Sequence, residues 1–345
     1  MPTTDPIKIV SIGGGTGLST LLSGLKNRIG TAAGGLEIAP SKIARKIELT
    51  AIVTVTDDGK SSGRLRQEFD VLPSGDIRNC LVALAEDDQL LTKLFGYRFS
   101  GDGSIGGHSL GNLILLALTQ MNGDFLAAIE TAGRMLKLNA RILPSTLDRV
   151  DLVARLNGKS VKGQMAIKSH QIAIKSQMPI RELSLDPPGA RALPAAIQAI
   201  QEADLITFGP GSLFTSVIAN LLVKGIANAL ATSPARKLYI CNAMTEFDET
   251  NDFTAEDHVR QLLAYAPGVK LDYALFNSAP ISAEMLDRYA AERAYPIKLP
   301  AVGTSSLCSD FGGVQFIAMP LASESRAVRH DPEKLCRAIF DIYSR

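Results

Sequence analysis

The chain has 345 residues, 46% of them apolar and 21% charged, with a formal net charge of +1. That length is ample to bury a core, and the near-neutral balance excludes bulk electrostatic attraction to nucleic acid or to an anionic membrane. Apolar runs are interrupted by Gly, Asn or Lys before the roughly 20 residues that a bilayer-spanning helix needs. Residues 1–8 carry Asp5 and two prolines and lack the basic-then-apolar pattern of a secretory signal. Cys80, Cys241, Cys308 and Cys336 form no C-x-x-C pair, which favours reduced thiols over a disulfide frame or a zinc site. The expectation is a soluble cytoplasmic protein with no membrane insertion and no nucleic-acid partner.

In chain order, "KIVSIGG" (Lys8–Gly14) reads as a buried strand that turns into a helix-like stretch, and "IELTAIVTVTDD" (Ile47–Asp58) reads as a second strand. The Gly/Ala-rich connection between them, 30–46, is expected to be a mobile insertion. Over 144–186 the pattern changes: strand-like residues flank Asn157-Gly158, a strong two-residue hairpin signal. The main rhythm then resumes with "DLITFGPG" (Asp204–Gly211), "KLYICNA" (Lys237–Ala243) and "DYALFNS" (Asp272–Ser278), each an apolar run ending in a Gly or Asn turn. Helix starts are legible at Thr254 with Asp257, a capping-box pattern, at Ser282, and at Asp331-Pro332. Strands alternating with helices predict one α/β domain over 1–345, with 1–6 flexible. Its architecture is a doubly wound, mainly parallel Rossmann-like sheet with a small antiparallel hairpin insertion.

Gly13, Gly14, Gly15, Thr16 and Gly17 end the first strand and open a helix, where backbone N–H groups and the positive helix end favour an anion. The dinucleotide fingerprint fails, since Leu18 stands where its third glycine belongs, and no Gly-Lys-Ser/Thr follows to make a P-loop. Asp57 and Asp58 lie at the carboxyl edge of the predicted sheet, where they can orient a ribose, hold Mg²⁺ or serve as a cap. Ser61, Ser62, Gly63 and Arg64 offer donors to a phosphate, and Gly75, Asp76, Arg78 and Asn79 open the next helix. Arg78 can pair with an Asp or reach a phosphate. Gly209, Gly211 and Ser212 form another strand-to-helix turn, with Thr215 and Ser216 as further donors. Several such turns at one sheet edge point to a nucleotide-like anion.

"GHSLG" (Gly107–Gly111) satisfies the G-x-S-x-G of a hydrolase nucleophile elbow, but the polar "FSGDGSIG" before it cannot be the buried strand that an elbow requires. Ser109 is expected to cap the helix "NLILLALTQM", with His108 facing the cleft or packing.

The motifs "GGGTGLSTLLSGLK", "AIVTVTDDGKSSGRLR", "PSGDIRNCLVALA", "GGHSLGNLILLAL", "GPGSLFTSVIANLL" and "YICNAMTEFDET" occur in this order. The chain therefore resembles the YvcK family of the CofD-like superfamily, from about Ile7 to His330. The resemblance implies a cytoplasmic, Rossmann-like gluconeogenesis factor that binds a UDP-sugar, notably UDP-N-acetylglucosamine, and links gluconeogenic growth to envelope synthesis and cell shape. It further implies that Gly13–Gly17 and Ser212 approach the diphosphate and that Asp57 and Asp58 face the ribose or a metal. Asn79, Asn112, Asn242 and Thr245 would line the cleft, Asn277 and Tyr289 would lie in a segment closing over the ligand, and Arg329 would meet a phosphate. Lys60 departs from the family pattern, which has a glycine there. "MTEFDET" replaces the usual "MTQPGET", adding charge at Glu246 and Asp248.

Three functions follow as alternatives. The leading one is a UDP-sugar-binding regulator with an unknown protein partner, since no nucleophile–base pair is evident. The second is a CofD-like transferase using a nucleotide-activated substrate and Mg²⁺. The third, weaker, is a dinucleotide oxidoreductase. No cofactor other than Mg²⁺ is implied, and a homo-oligomer stays open.

Overall fold

The structure is a computed structural model that describes residues 5–29, 46–86, 89–156, 158–173, 180, 182–247, 249–299 and 311–345, with Lys60 and 170–173 described by backbone alone. The expected insertion at 30–46 and flexible terminus at 1–6 thus fall almost wholly outside the described residues, as do Cys308 and Asp248.

The central sheet has seven strands, all parallel: β1 (Ile7–Gly13), β2 (Ile47–Val53), β3 (Arg141–Pro144), β7 (Leu205–Phe208), β8 (Arg236–Ile240), β9 (Tyr273–Asn277) and β10 (Gln315–Met319). Their spatial order is β3-β2-β1-β7-β8-β9-β10. The order reverses between β1 and β7, where the two halves of a doubly wound sheet diverge and leave a crevice beyond the strand ends. β1, β7 and β8 are almost fully buried, as continuous apolar strands covered on both faces must be. The second strand ends at Val53 and not at Asp58. Its neighbours give out there: Gly13 closes β1, Pro144 closes β3, and residues 54–59 run on as a loop across the sheet edge. β3 and β10, the two edge strands, have no counterpart among the predicted elements.

Helices cover both faces. α1 (Gly15–Leu25) buries Leu18, Leu21, Leu22 and Leu25, and packs on α3 (Gly75–Leu84) and the C-terminal α13 (Pro332–Tyr343). The cap signals hold in part. Thr254 and Asp257 make a reciprocal capping box on α11 (Ala255–Ala264), Ser282 accepts from Met285 N–H on α12 (Ala283–Ala291), and Asp331 caps α13. Ser109 precedes α5 (Leu110–Asn122), but its side chain does not cap it. Its hydroxyl instead donates to the Phe95 carbonyl at 3.4 Å.

The predicted hairpin strands pair: β4 (Asp151–Leu156) runs antiparallel to β5 (Lys159–Lys162), with Leu156 opposite Lys159, while Asn157 lies outside the described residues. β6 (Glu182–Asp186) completes a three-stranded sheet in the order β5-β4-β6. The excursion also contains α7 (Gln164–Ala173). It is fastened to the body by Arg66, which reaches Asp151 at 2.7 Å, and by Tyr265, whose hydroxyl accepts from Leu183 N–H at 2.9 Å. Among the described residues, no helix is long and apolar enough to cross a membrane.

Candidate functional site

β1 passes into α1 through Gly14, and Gly15 adopts φ +63°, a left-handed conformation that glycine enters without strain. β7 ends in Gly209-Pro210-Gly211, which leads into a π-helical turn, Leu213–Ile218, and then α9 (Ala219–Leu221). The two loops are pressed together. A Cβ on Gly17 would lie 2.4 Å from the Pro210 carbonyl oxygen and 2.7 Å from Gly211 N. Gly209 N–H donates to the Ile12 carbonyl at 2.8 Å, and Asn220 Nδ2 donates to the Gly13 carbonyl at 3.1 Å. Close packing of the first helix, the role that a dinucleotide fold gives to its third glycine, is served here by Gly17 against the neighbouring loop.

A cleft of about 450 Å³ opens at this junction. Gly14, Gly15, Thr16, Gly17 and Thr20 line it from α1, and Gly211, Ser212, Thr215 and Ser216 line it from the second loop. Asn242, Thr245 and Glu246 follow β8, Tyr289 lies on α12, and Arg329 and His330 come from β12 (Val328–His330). Gln164 and Lys168 reach in from α7. Asp76 lines the cleft beside Gly14, half-buried, with the Gly15 N–H directed to its carboxylate. Burial first, and the charge of Asp57 second, push its carboxyl up to about 7.

The other acids and donors of this edge divide. The Asp57 carboxylate accepts from Gly59 N–H at 2.9 Å and crowds Gly75, as does the Ser62 hydroxyl. Neither Asp57 nor Ser62 is among the cleft-lining residues. Asp58 turns the other way: it accepts from Met165 N–H at 2.9 Å and so caps α7. Asp57 and Asp58 therefore serve different backbone donors, while the charge of Asp57 is felt by both Asp58 and Asp76. Asp58→Ala is expected to lower stability by about 1 kcal/mol through this lost cap, whereas Asp58→Asn keeps an acceptor and stays near wild type in chemical denaturation. Arg64 donates to the carbonyls of Gly106 and Ser104 and lies outside the cleft. Asn79 lies outside it too, and Asn112 is buried behind it, giving its amide to Ser61 at 3.1 Å.

The second helix start is already supplied with a carboxylate. Glu249, 2% exposed, accepts from the N–H groups of Phe214 and Thr215 and from the Thr215 hydroxyl. Lys168 sits 3.2 Å from it and 3.8 Å from Glu246. Glu246 accepts from Ser212 Oγ at 2.7 Å and from Asn242 Nδ2 at 2.8 Å, while Asn242 Oδ1 accepts from Gly211 N–H. The Ser212 hydroxyl is thus held by Glu246, whereas at the α1 start it is Gly15 N–H that meets a carboxylate, that of Asp76. Thr245 is committed to a bridge with Tyr295. Asn277 Oδ1 accepts from Ala279, Leu321 and Ala322 and shapes the end of β9 outside the cleft. The Tyr289 hydroxyl accepts from Val328 N–H at 3.1 Å. Arg329 makes no ion pair among the described residues, and His330, 6% exposed, hydrogen-bonds the Cys241 carbonyl at 2.8 Å.

Of the expected residues, Gly14, Gly15, Thr16, Gly17, Asp76, Gly211, Ser212, Asn242, Thr245, Tyr289 and Arg329 converge on one cleft; Gly13 and Gly209 support it from behind. Gln164, Lys168 and Glu249 were not singled out. The first two sit on a helix inside a segment that reads as a hairpin, and Glu249 looks like an ordinary turn acid. A glutamine and a cation four residues apart on an otherwise ordinary helix give no signal until α7 is folded back over the sheet edge.

The CofD family, described as 2-phospho-L-lactate transferase CofD, matches residues 9–309. A relative from Thermotoga maritima is 42% identical over 97% of this chain and 99% of its own length. The gluconeogenesis factor of Bacillus subtilis is 38% identical over 97% of this chain and 98% of its own. A crystal structure of a UPF0052-family protein from Bacillus halodurans superposes with a TM-score of 0.84 at 38% identity, covering 97% of this chain and 99% of that one. With its glycine-lined crevice at the switch point of an all-parallel sheet, this chain belongs to the CofD family, in the group of the gluconeogenesis factors.

Proposed function

We propose that this protein is a cytoplasmic regulator that binds a uridine diphosphate sugar, of the UDP-N-acetylglucosamine kind, and couples gluconeogenic growth to envelope synthesis and cell shape. The observation that carries the reading is the junction of Gly14–Gly17 with Gly211 and Ser216 around a cleft large enough for a nucleotide. The start of α1 has no side-chain cap from its own N-cap residue, so Thr16 and Gly17 N–H groups remain for a phosphate. Arg329 adds a cation on the same cleft. The polar groups there are donors and fixed carboxylates, with no nucleophile held against a base, which suits binding more than covalent catalysis.

Isothermal calorimetry with UDP-N-acetylglucosamine tests it. Saturable binding is expected, weakened about tenfold in Arg329→Gln by loss of one charge-assisted contact. Absence of binding by any uridine diphosphate sugar at millimolar concentration overturns the reading.

Asp57 beside Asp76 favours a second reading, a Mg²⁺-dependent transferase like the enzyme for which the family is described. Two neighbouring carboxylates, both half-buried, suit a divalent cation bridged to a diphosphate. That pair lacks a third acidic or imidazole ligand among the described residues, so a cation there would lean on ligand oxygens. Metal-dependent turnover of a nucleotide-activated substrate, lost in Asp57→Asn, supports transfer over sensing.

A further inference from the structure

The motifs around Arg78 and "GHSLG" are not used by the nucleotide cleft, and they meet in space. Arg78, on α3, lays its stem over Gly111, where a Cβ would stand 2.8 Å from Arg78 Cγ. Its Nε donates to Asn112 Oδ1 at a long 3.4 Å. Arg98 bridges in antiparallel fashion to Ser109 and donates from Nη1 to the Gly107 carbonyl at 2.6 Å. Neither guanidinium has a carboxylate at ion-pair distance among the described residues, and there most of the five donors on each fork have no protein acceptor.

We propose that Arg78 and Arg98 form a second anion site, for a phosphate monoester, separate from the nucleotide cleft. Both side chains are anchored on one turn, Arg98 at Gly107 and Arg78 at Asn112; like charges on one turn with no carboxylate at ion-pair distance among the described residues repel, and a bound dianion relieves that repulsion. Burial weakens the hold of Arg78 on its proton, and Arg98 weakens it further, against the opposing pull of Asp76 and Asp57.

The scaffold beneath the pair is rigid. The buried Ser61 hydroxyl oxygen accepts from Ser109 N–H at 3.3 Å and from Asn112 Nδ2 at 3.1 Å, and it stands 3.1 Å from His108 Nδ1. With both lone pairs of Ser61 engaged, its proton goes to His108 Nδ1. Burial, with Arg64 and Arg98 nearby, keeps that imidazole neutral. Asn112 is thereby fixed with its carbonyl oxygen toward Arg78, which pre-sets the guanidinium before any ligand arrives. A dianionic tetrahedral phosphate matches two forks better than a single carboxylate does.

The site does not depend on the UDP-sugar reading, and its test separates the two. Inorganic phosphate is titrated calorimetrically into the full chain alone and into the chain saturated with UDP-N-acetylglucosamine. Phosphate is expected to bind in both, and acetate at least about tenfold more weakly. Arg78→Gln and the exposed, structurally mild Arg98→Gln are each expected to weaken phosphate about tenfold or more, with nucleotide affinity unchanged. Arg329→Gln should leave this phosphate event in place. No saturable phosphate binding at millimolar concentration, phosphate binding abolished by Arg329→Gln, or binding indifferent to both Arg78→Gln and Arg98→Gln overturns the site.

Discussion

Gly17→Ala is expected to cost about 2–3 kcal/mol of stability and to abolish nucleotide-sugar binding. The added methyl would stand 2.4 Å from the Pro210 carbonyl oxygen and 2.6 Å from its carbon. Both are backbone atoms, so no side chain can swing aside. The loop also cannot retreat freely, because Gly209 N–H is bonded to Ile12 in β1 and Asn220 bridges to Gly13. The strain must separate the two glycine turns, which are the two halves of the proposed anion site. Chemical denaturation reads the first effect and calorimetry with UDP-N-acetylglucosamine the second. A variant that keeps wild-type stability and affinity would show that the loops are not packed as described.

Asp76→Asn is expected to stabilise the protein above pH 7 by about 2–4 kcal/mol, with no gain below pH 4. The carboxyl titrates near its ordinary value of 3.8 when unfolded and at about 7 when folded. Between those values the native state holds a proton that the unfolded chain has released, so stability falls as pH rises through this window. The amide removes the titration while still offering an oxygen to Gly15 N–H. Denaturation midpoints from pH 4 to pH 8 should slope downward for the wild type and flatten in the variant. The same pair of proteins addresses chemistry. If a divalent cation binds Asp57 and Asp76, Mg²⁺ restores stability to the wild type above pH 7 and not to Asp76→Asn. Equal midpoints for the two proteins at pH 8 would contradict a raised carboxyl beside Asp57.

Much of the scaffold was legible because local rules sufficed. Thr254 with Asp257, and Asp331 before Pro332, are caps whose partners lie within four residues, so they read correctly. The Asn157-Gly158 signal for pairing β4 with β5 is equally local. Ser109 failed as a cap because its hydroxyl found the Phe95 carbonyl, fourteen residues away. Asp58 reads as a ligand-facing acid next to Asp57, yet it is turned to α7 by a residue 107 positions further on. β10, a five-residue strand between Gly312-Gly313 and Pro320, was missed because periodicity does not tell so short an apolar run from a buried helical turn or loop.

The sequence by itself determined the α/β class, the glycine turns after β1 and β7, and the family, because periodicity, turn chemistry and ordered motifs are written in neighbouring residues. Only tertiary structure decided what those turns face. The sheet order brings β1 beside β7 across nearly two hundred residues, α7 carries Gln164 and Lys168 into the cleft, and Glu246 and Glu249 occupy the second helix start. Such pairings depend on which long-range contacts repay the entropy of closing the loops between them, and no local pattern records that choice.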